Sequence, residues 1–145
     1  MRLFLDANVL FNAARNREGR AASLFHLAER GFCALVASPH AVEEARRNLE
    51  LKHPGLVTPL DRLVGALSMG RESSADGAAW ARAHLLPPQD APILGAAAEA
   101  RADLLVTGDR THFGHLYGKT LRGVGIVTPA EALARVLAGP RPCGS

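Results

Sequence analysis

The chain has 145 residues, 48% of them hydrophobic, which is enough apolar surface to close one core without staples and argues against a disordered or disulfide-built protein. Cys33 and Cys143 are the only cysteines and suit a reducing cytoplasm; no apolar run approaches bilayer length, and Asp6 breaks the opening hydrophobic stretch after five residues, against a signal peptide or membrane span. The formal charge is only +3, but a pI near 9.4, with Lys52 and Lys119 the only lysines among 17 basic residues, admits an anionic partner such as nucleic acid.

In chain order, the first strand-like segment is residues 2–6, "RLFLD", and a second spans 32–37. Ser38-Pro39 then offers a hydroxyl cap followed by proline, which predicts a helix start, and Thr58-Pro59 offers the same signal. Leu60, Leu63, Val64 and Leu67 form an apolar stripe that should pack on the sheet, and residues 68–77, "SMGRESSADG", read as a surface loop. Asp90 precedes "APILGAAA", a helix with an apolar face. Strands are expected again at 103–107 and 123–128. Thr128-Pro129, with Glu131 completing a capping box, opens a last helix whose apolar face is Leu133, Val136 and Leu137. Strands alternating with helices predict an α/β fold with a mainly parallel sheet.

Two of these strands run straight into an acid, "LFLD" at Asp6 and "LLVTGD" at Asp109. In open parallel sheets, ligand sites form outside the carboxyl ends of the strands, where both acids fall. Asp103 starts the strand that Asp109 follows, so it lies roughly 20 Å away and belongs to no common site. Asp90 at a helix start reads first as a plain cap and only second as a third member. Glu43 and Glu44 lie one turn into the helix capped by Ser38, and the helical wheel tilts mildly toward Glu44 for the inward face. Carboxylates at about 4 Å repel by about 4 kcal/mol per pair at an effective dielectric of 20, so a cluster needs protons or a cation. All-oxygen donors favour Mg²⁺ or Mn²⁺, and a hard ion so held suits phosphodiester hydrolysis.

The blocks "LFLDANVLFNA", "LVASPHAVEEARRNL", "QDAPILGAAAEARADLLVTGDRTHF" and "GVGIVTPAEAL" together resemble the PIN-domain nucleases, including bacterial VapC-like toxins. The resemblance implies a single PIN-like domain over 1–138, with a central, mainly parallel four- or five-stranded sheet flanked by helices, and a flexible tail over 139–145. It implies that Asp6, Glu44, Asp90 and Asp109 are the catalytic acids and the ligands of Mg²⁺ or Mn²⁺. Asn8 and Thr107 would support Asp6 and Asp109, with a helix cap and a strand-end filler as their plainer roles. Arg110 would hold a substrate phosphate or else be a surface arginine. Ala7 departs from the Thr or Ser of many members, which removes a hydroxyl beside Asp6. His112 and His115 lack zinc partners in the sequence and read as exposed loop residues.

The implied activity is cleavage of single-stranded or loop RNA by a cytoplasmic enzyme, the toxin of a toxin–antitoxin pair, with an antitoxin protein over the acids and a homodimer as assembly. Alternatives are a housekeeping PIN RNA-processing nuclease, or a non-catalytic domain that binds RNA or protein. A phosphohydrolase with Asp6 as nucleophile would need a second aspartate where the chain has Asn8.

Overall fold

The computed structural model describes residues 1–141. Strand β1 (Arg2–Leu5) lies at the centre of the sheet, and Leu3, Phe4 and Leu5 are wholly buried. Successive strand side chains point to opposite faces, so both faces of the sheet are covered there, as an unbroken apolar run requires. Helices α1 (Ala7–Arg15) and α2 (Arg20–Glu29) lead to β2 (Ala34–Ala37), which pairs with β1 in parallel. Helix α3 (Pro39–Lys52) follows, and Ser38 caps it by accepting from the Ala41 N–H, as its Ser-Pro signal predicts.

A 3₁₀ turn (Pro54–Leu56) feeds α4 (Val57–Val64), which corrects the helix start expected at Thr58. The turn already winds the chain, so Thr58 and Pro59 fall inside the first helical turn, where proline's missing N–H costs nothing. Helix α4 packs on α1 and α3, so its stripe, of which Leu60 alone is fully buried, seals a helix layer instead of the sheet. The segment expected as a loop begins with a short strand β3 (Ser68–Met69), parallel to β2, and continues into α5 (Ala75–Arg82). Helix α6 (Ala91–Glu99) packs on α5 and delivers the chain to β4 (Leu104–Val106), the second parallel neighbour of β1.

Beyond β4 come α7 (Arg110–Phe113), a 3₁₀ turn (Gly114–Leu116), β5 (Thr120–Leu121), β6 (Val124–Val127) and α8 (Pro129–Ala138). Strands β5 and β6 form an antiparallel hairpin whose two turn residues, Arg122 and Gly123, both have positive φ, the mirror-image turn that matches strand twist. Thr128 caps α8 through the Glu131 N–H, and Leu137 lies outside the apolar face, mostly exposed. Residues 142–145, with Cys143, fall outside the described residues.

The sheet order is β3-β2-β1-β4-β6-β5, parallel except for the β5 edge. The six strands among the described residues exceed the expected four or five because both edges add two-residue strands too short to show a period. The chain leaves β1 toward β2 on one side and resumes at β4 on the other. The crevice outside the carboxyl ends of β1 and β4 is therefore a topological switch point.

Candidate active site

Asp6 follows the last residue of β1 and continues its ladder, its N–H donating to the Val106 carbonyl at 3.1 Å. Thr107 does the same one strand over, donating to the Val127 carbonyl at 3.0 Å. The two side chains meet: Thr107 Oγ1 donates to Asp6 Oδ2 at 2.8 Å, Asn8 Nδ2 donates to the same oxygen at 3.1 Å, and the Ala7 N–H donates to Oδ1 at 2.7 Å. Asp6 is itself the cap of α1, which removes that role from Asn8 and leaves its amide to tie β1 to β4: Asn8 Oδ1 accepts from the Gly108 N–H at 2.8 Å. Thr107 Oγ1 also accepts from the Asp109 N–H at 3.1 Å, so one hydroxyl orders both acids.

Asp6, Glu44, Asp90 and Asp109 line one cleft of about 350 Å³ at the switch point. They come from four separate places in the fold: the end of β1, the second turn of α3, the start of α6 and the start of α7. Glu44 is half-buried there, whereas Glu43 is exposed and pairs with Arg47 at 3.4 Å. Asp103 stands at the other end of the sheet and accepts from the Arg2 N–H at 2.7 Å.

Burial dominates the electrostatics, and neighbouring acids add to it. Burial pushes the Asp6 carboxyl up to about 6, against the lowering effect of the Thr107 and Ala7 bonds, and the Asp90 and Glu44 charges add to the rise. Burial also raises Asp90, which His112 pulls down and the Asp109 and Glu44 charges push up. Asp90 occupies the cap position of α6 without making a side-chain cap bond. Its Oδ2 is buried with no hydrogen-bond partner among the described residues. His112 Nδ1 lies 3.0 Å from that oxygen and closer still, 2.7 Å, to Asp109 Oδ2, so one ring nitrogen stands between the two acids. A buried carboxylate oxygen that makes no hydrogen bond and shares a single imidazole with a second acid fits a hard cation, since a buried charge persists only when paired or ligated. The cleft could therefore hold a divalent ion: Asp90 and Asp109 bring their donor atoms together, while Asp6 and Glu44 line the same cleft outside that tight group.

Two groups escape a reading of the sequence. His112 is not an exposed loop residue: it sits in α7 and, with Asp90 and Asp109, forms a group whose donor atoms lie within 4.8 Å of one another. Its one local signal is the i,i+3 spacing from Asp109. His115 lies apart, its Nε2 2.6 Å from the His84 carbonyl oxygen. Asn48 and Lys52 also line the cleft, one and two turns beyond Glu44 on the same face of α3. Arg110 lies outside it, on an adjoining groove.

A family model described as PIN domain matches residues 2–111. The chain belongs to the PIN-domain family. No match was found among curated proteins. Several solved structures share the PIN fold at low identity. PAE2754 from Pyrobaculum aerophilum is 18% identical with a TM-score of 0.68, over 96% of this chain and 97% of that one. VapBC2 from Rickettsia felis, bound to a DNA fragment from their promoter, is 18% identical at a TM-score of 0.66, over 88% and 98%. VapC20 from Mycobacterium tuberculosis, a Sarcin-Ricin loop cleaving toxin, is 14% identical at 0.54, over 75% and 91%. The PIN match ends just past Asp109, so all four acids lie within it.

Proposed function

We propose that this PIN-domain protein is a Mg²⁺- or Mn²⁺-dependent endoribonuclease that cuts single-stranded or loop RNA, and that it is the toxin of a toxin–antitoxin pair. The observation that carries the reading is the meeting of four carboxylates from distant parts of the chain in one cleft, with Asp90 Oδ2 buried and unbonded. Asp6, Glu44, Asp90 and Asp109 would hold the ion. Bound there, a divalent cation supplies the positive charge that the cluster lacks and the Lewis acidity that phosphodiester hydrolysis needs.

The chain's own residues do the positioning. Thr107, Asn8 and the Ala7 N–H fix both oxygens of Asp6, and Thr107 also fixes the backbone of Asp109, so the acids are ordered before substrate arrives. Arg110, one residue past Asp109, would take a non-bridging phosphate oxygen. An antitoxin would cover the acids with a basic side chain, and a homodimer is the expected assembly. The toxin complexes among structures of this fold are in keeping with that reading.

The test is cleavage of a mixed RNA pool with and without divalent ion, comparing the parent with Asp109→Asn. Ion-dependent cleavage by the parent and none by the variant is expected; identical cleavage by both removes Asp109 from the mechanism. Millimolar Mg²⁺ should also raise the melting temperature, by mass action on the folded state, and Asp6→Asn should abolish that gain. Rescue of growth inhibition by a small neighbouring reading frame would distinguish a toxin from a housekeeping nuclease.

A further inference from the structure

Gly108 and Asn12 line the acidic cleft on one side and a second groove, of about 510 Å³, on the other. That second groove carries three exposed arginines, Arg15 at the end of α1, Arg20 at the start of α2 and Arg110 at the start of α7. None of the three has a carboxylate partner among the described residues, and Glu18 is the one acid lining the groove. Tyr117 supplies a ring whose position is fixed, since its hydroxyl donates to the Thr107 carbonyl at 2.7 Å.

We infer that this groove is the track for the RNA strand flanking the cut: the backbone crosses Gly108 and its next phosphates seat on Arg15, Arg20 and Arg110. The inference rests on the nuclease reading and extends it to how the substrate is held. A polyanion brought to a cleft of four carboxylates is repelled by whatever charge the ion does not cancel, so the adjoining surface has to supply attraction. Guanidinium groups do so with paired N–H donors suited to phosphate oxygens. Gly108 matters because it forms the sill between the two sites with no side chain rising from it; a Cβ added there would meet Asn8 Oδ1 at 3.4 Å, an oxygen already engaged with the Gly108 N–H. Tyr117 is placed to stack on a base, a contact tolerant of sequence.

The experiment is fluorescence anisotropy of the full chain with a labelled single-stranded RNA of about a dozen nucleotides, in EDTA so that binding is read apart from cleavage. Arg15→Gln with Arg20→Gln should weaken binding about tenfold at low salt and reduce the slope of log K against log [salt] by about 1.4, since each single-strand phosphate contact contributes about 0.7. Arg30→Gln, an exposed arginine at the far end of α2, is the control and should change neither. If the parent binds RNA and the double variant binds with the same affinity and slope, the track is wrong while the nuclease reading stands. If the parent neither binds nor cuts RNA, both fall.

Discussion

Thr107 Oγ1 donates to Asp6 Oδ2 across the β1–β4 pair while accepting from the Asp109 N–H, so the two strand-end acids share one hydroxyl. Thr107→Val removes that hydroxyl and keeps the shape. A hydrogen bond to a charged group contributes about 1.5–3 kcal/mol, and valine's better fit to a buried site offsets part of it. A loss of about 1–2 kcal/mol is expected at pH 8 in urea denaturation, shrinking toward pH 5 as Asp6 takes up its proton. Thr107→Ser should restore most of it. Equal losses at both pH values would show that the effect is packing alone.

The same carboxylate sets a pH dependence for the metal-free protein. Burial raises Asp6 from 3.8 to about 6, so between those values the folded chain holds a proton that the unfolded chain has released. Stability therefore falls as pH rises from about 4 to about 6, by up to roughly 3 kcal/mol for a shift of about two units. Asp6→Asn, which keeps an acceptor but cannot ionise, should be the more stable protein at pH 8 in EDTA and should converge with the parent near pH 4. A variant that is less stable than the parent at pH 8 would refute the account.

Which parts of this site can be read from the chain follows from how local each signal is. Ser38 and Thr128 each carry their cap and their proline within two residues, and both helices start there. The LFLD and LVTGD strand ends are legible because an apolar run that stops at an acid is itself a local pattern. Thr58 carries the same signal as Ser38, but a preceding 3₁₀ turn, set by Pro54, has already begun the helix. Strands β3 and β5 are two residues long and exist only through a neighbour's ladder, which no short window shows. His112 is hidden for the opposite reason: its spacing from His115 suggests a zinc pair, while its partners are Asp109, one turn back, and Asp90, 22 positions away.

His112→Ala should separate the histidine's two contacts from the acids it touches. Without the ring, Asp109 Oδ2 loses a donor at 2.7 Å and Asp90 loses the charge that pulls its carboxyl down. The imidazole is more than a third exposed, so solvent screening limits the loss to about 1 kcal/mol or less. The melting temperature in EDTA is expected to fall slightly, and the further rise on adding Mg²⁺ should be preserved, because the four oxygen donors remain. Disappearance of the Mg²⁺ response would instead make His112 a ligand.

The placement of Asp90 depends on how closely α6 approaches α5. A Cβ on Gly95 would meet the Gly77 carbonyl carbon at 2.8 Å and its oxygen at 2.9 Å, backbone atoms that cannot step aside without moving the helix. A Cβ on Gly77 would meet Glu99 Oε1 at 2.6 Å and Ser73 Oγ at 2.8 Å, ends of side chains that can shift without moving a helix, though Glu99 would give up the Ser74 N–H it holds at 2.7 Å. Overpacking costs about 1–3 kcal/mol, and alanine returns up to about 1 kcal/mol in helix propensity. Gly95→Ala should therefore lower stability by about 1–2 kcal/mol, while Gly77→Ala, which costs an exposed hydrogen bond offset by helix propensity, should lower it by less than about 1 kcal/mol. Because α6 begins at Asp90, the shift forced by Gly95→Ala should also blunt the Mg²⁺-dependent rise in melting temperature, and Gly77→Ala should leave it intact. Thermal melts of the two variants with and without Mg²⁺ test both points, and the reverse order of stability would mean that the α5–α6 contact does not set the position of Asp90.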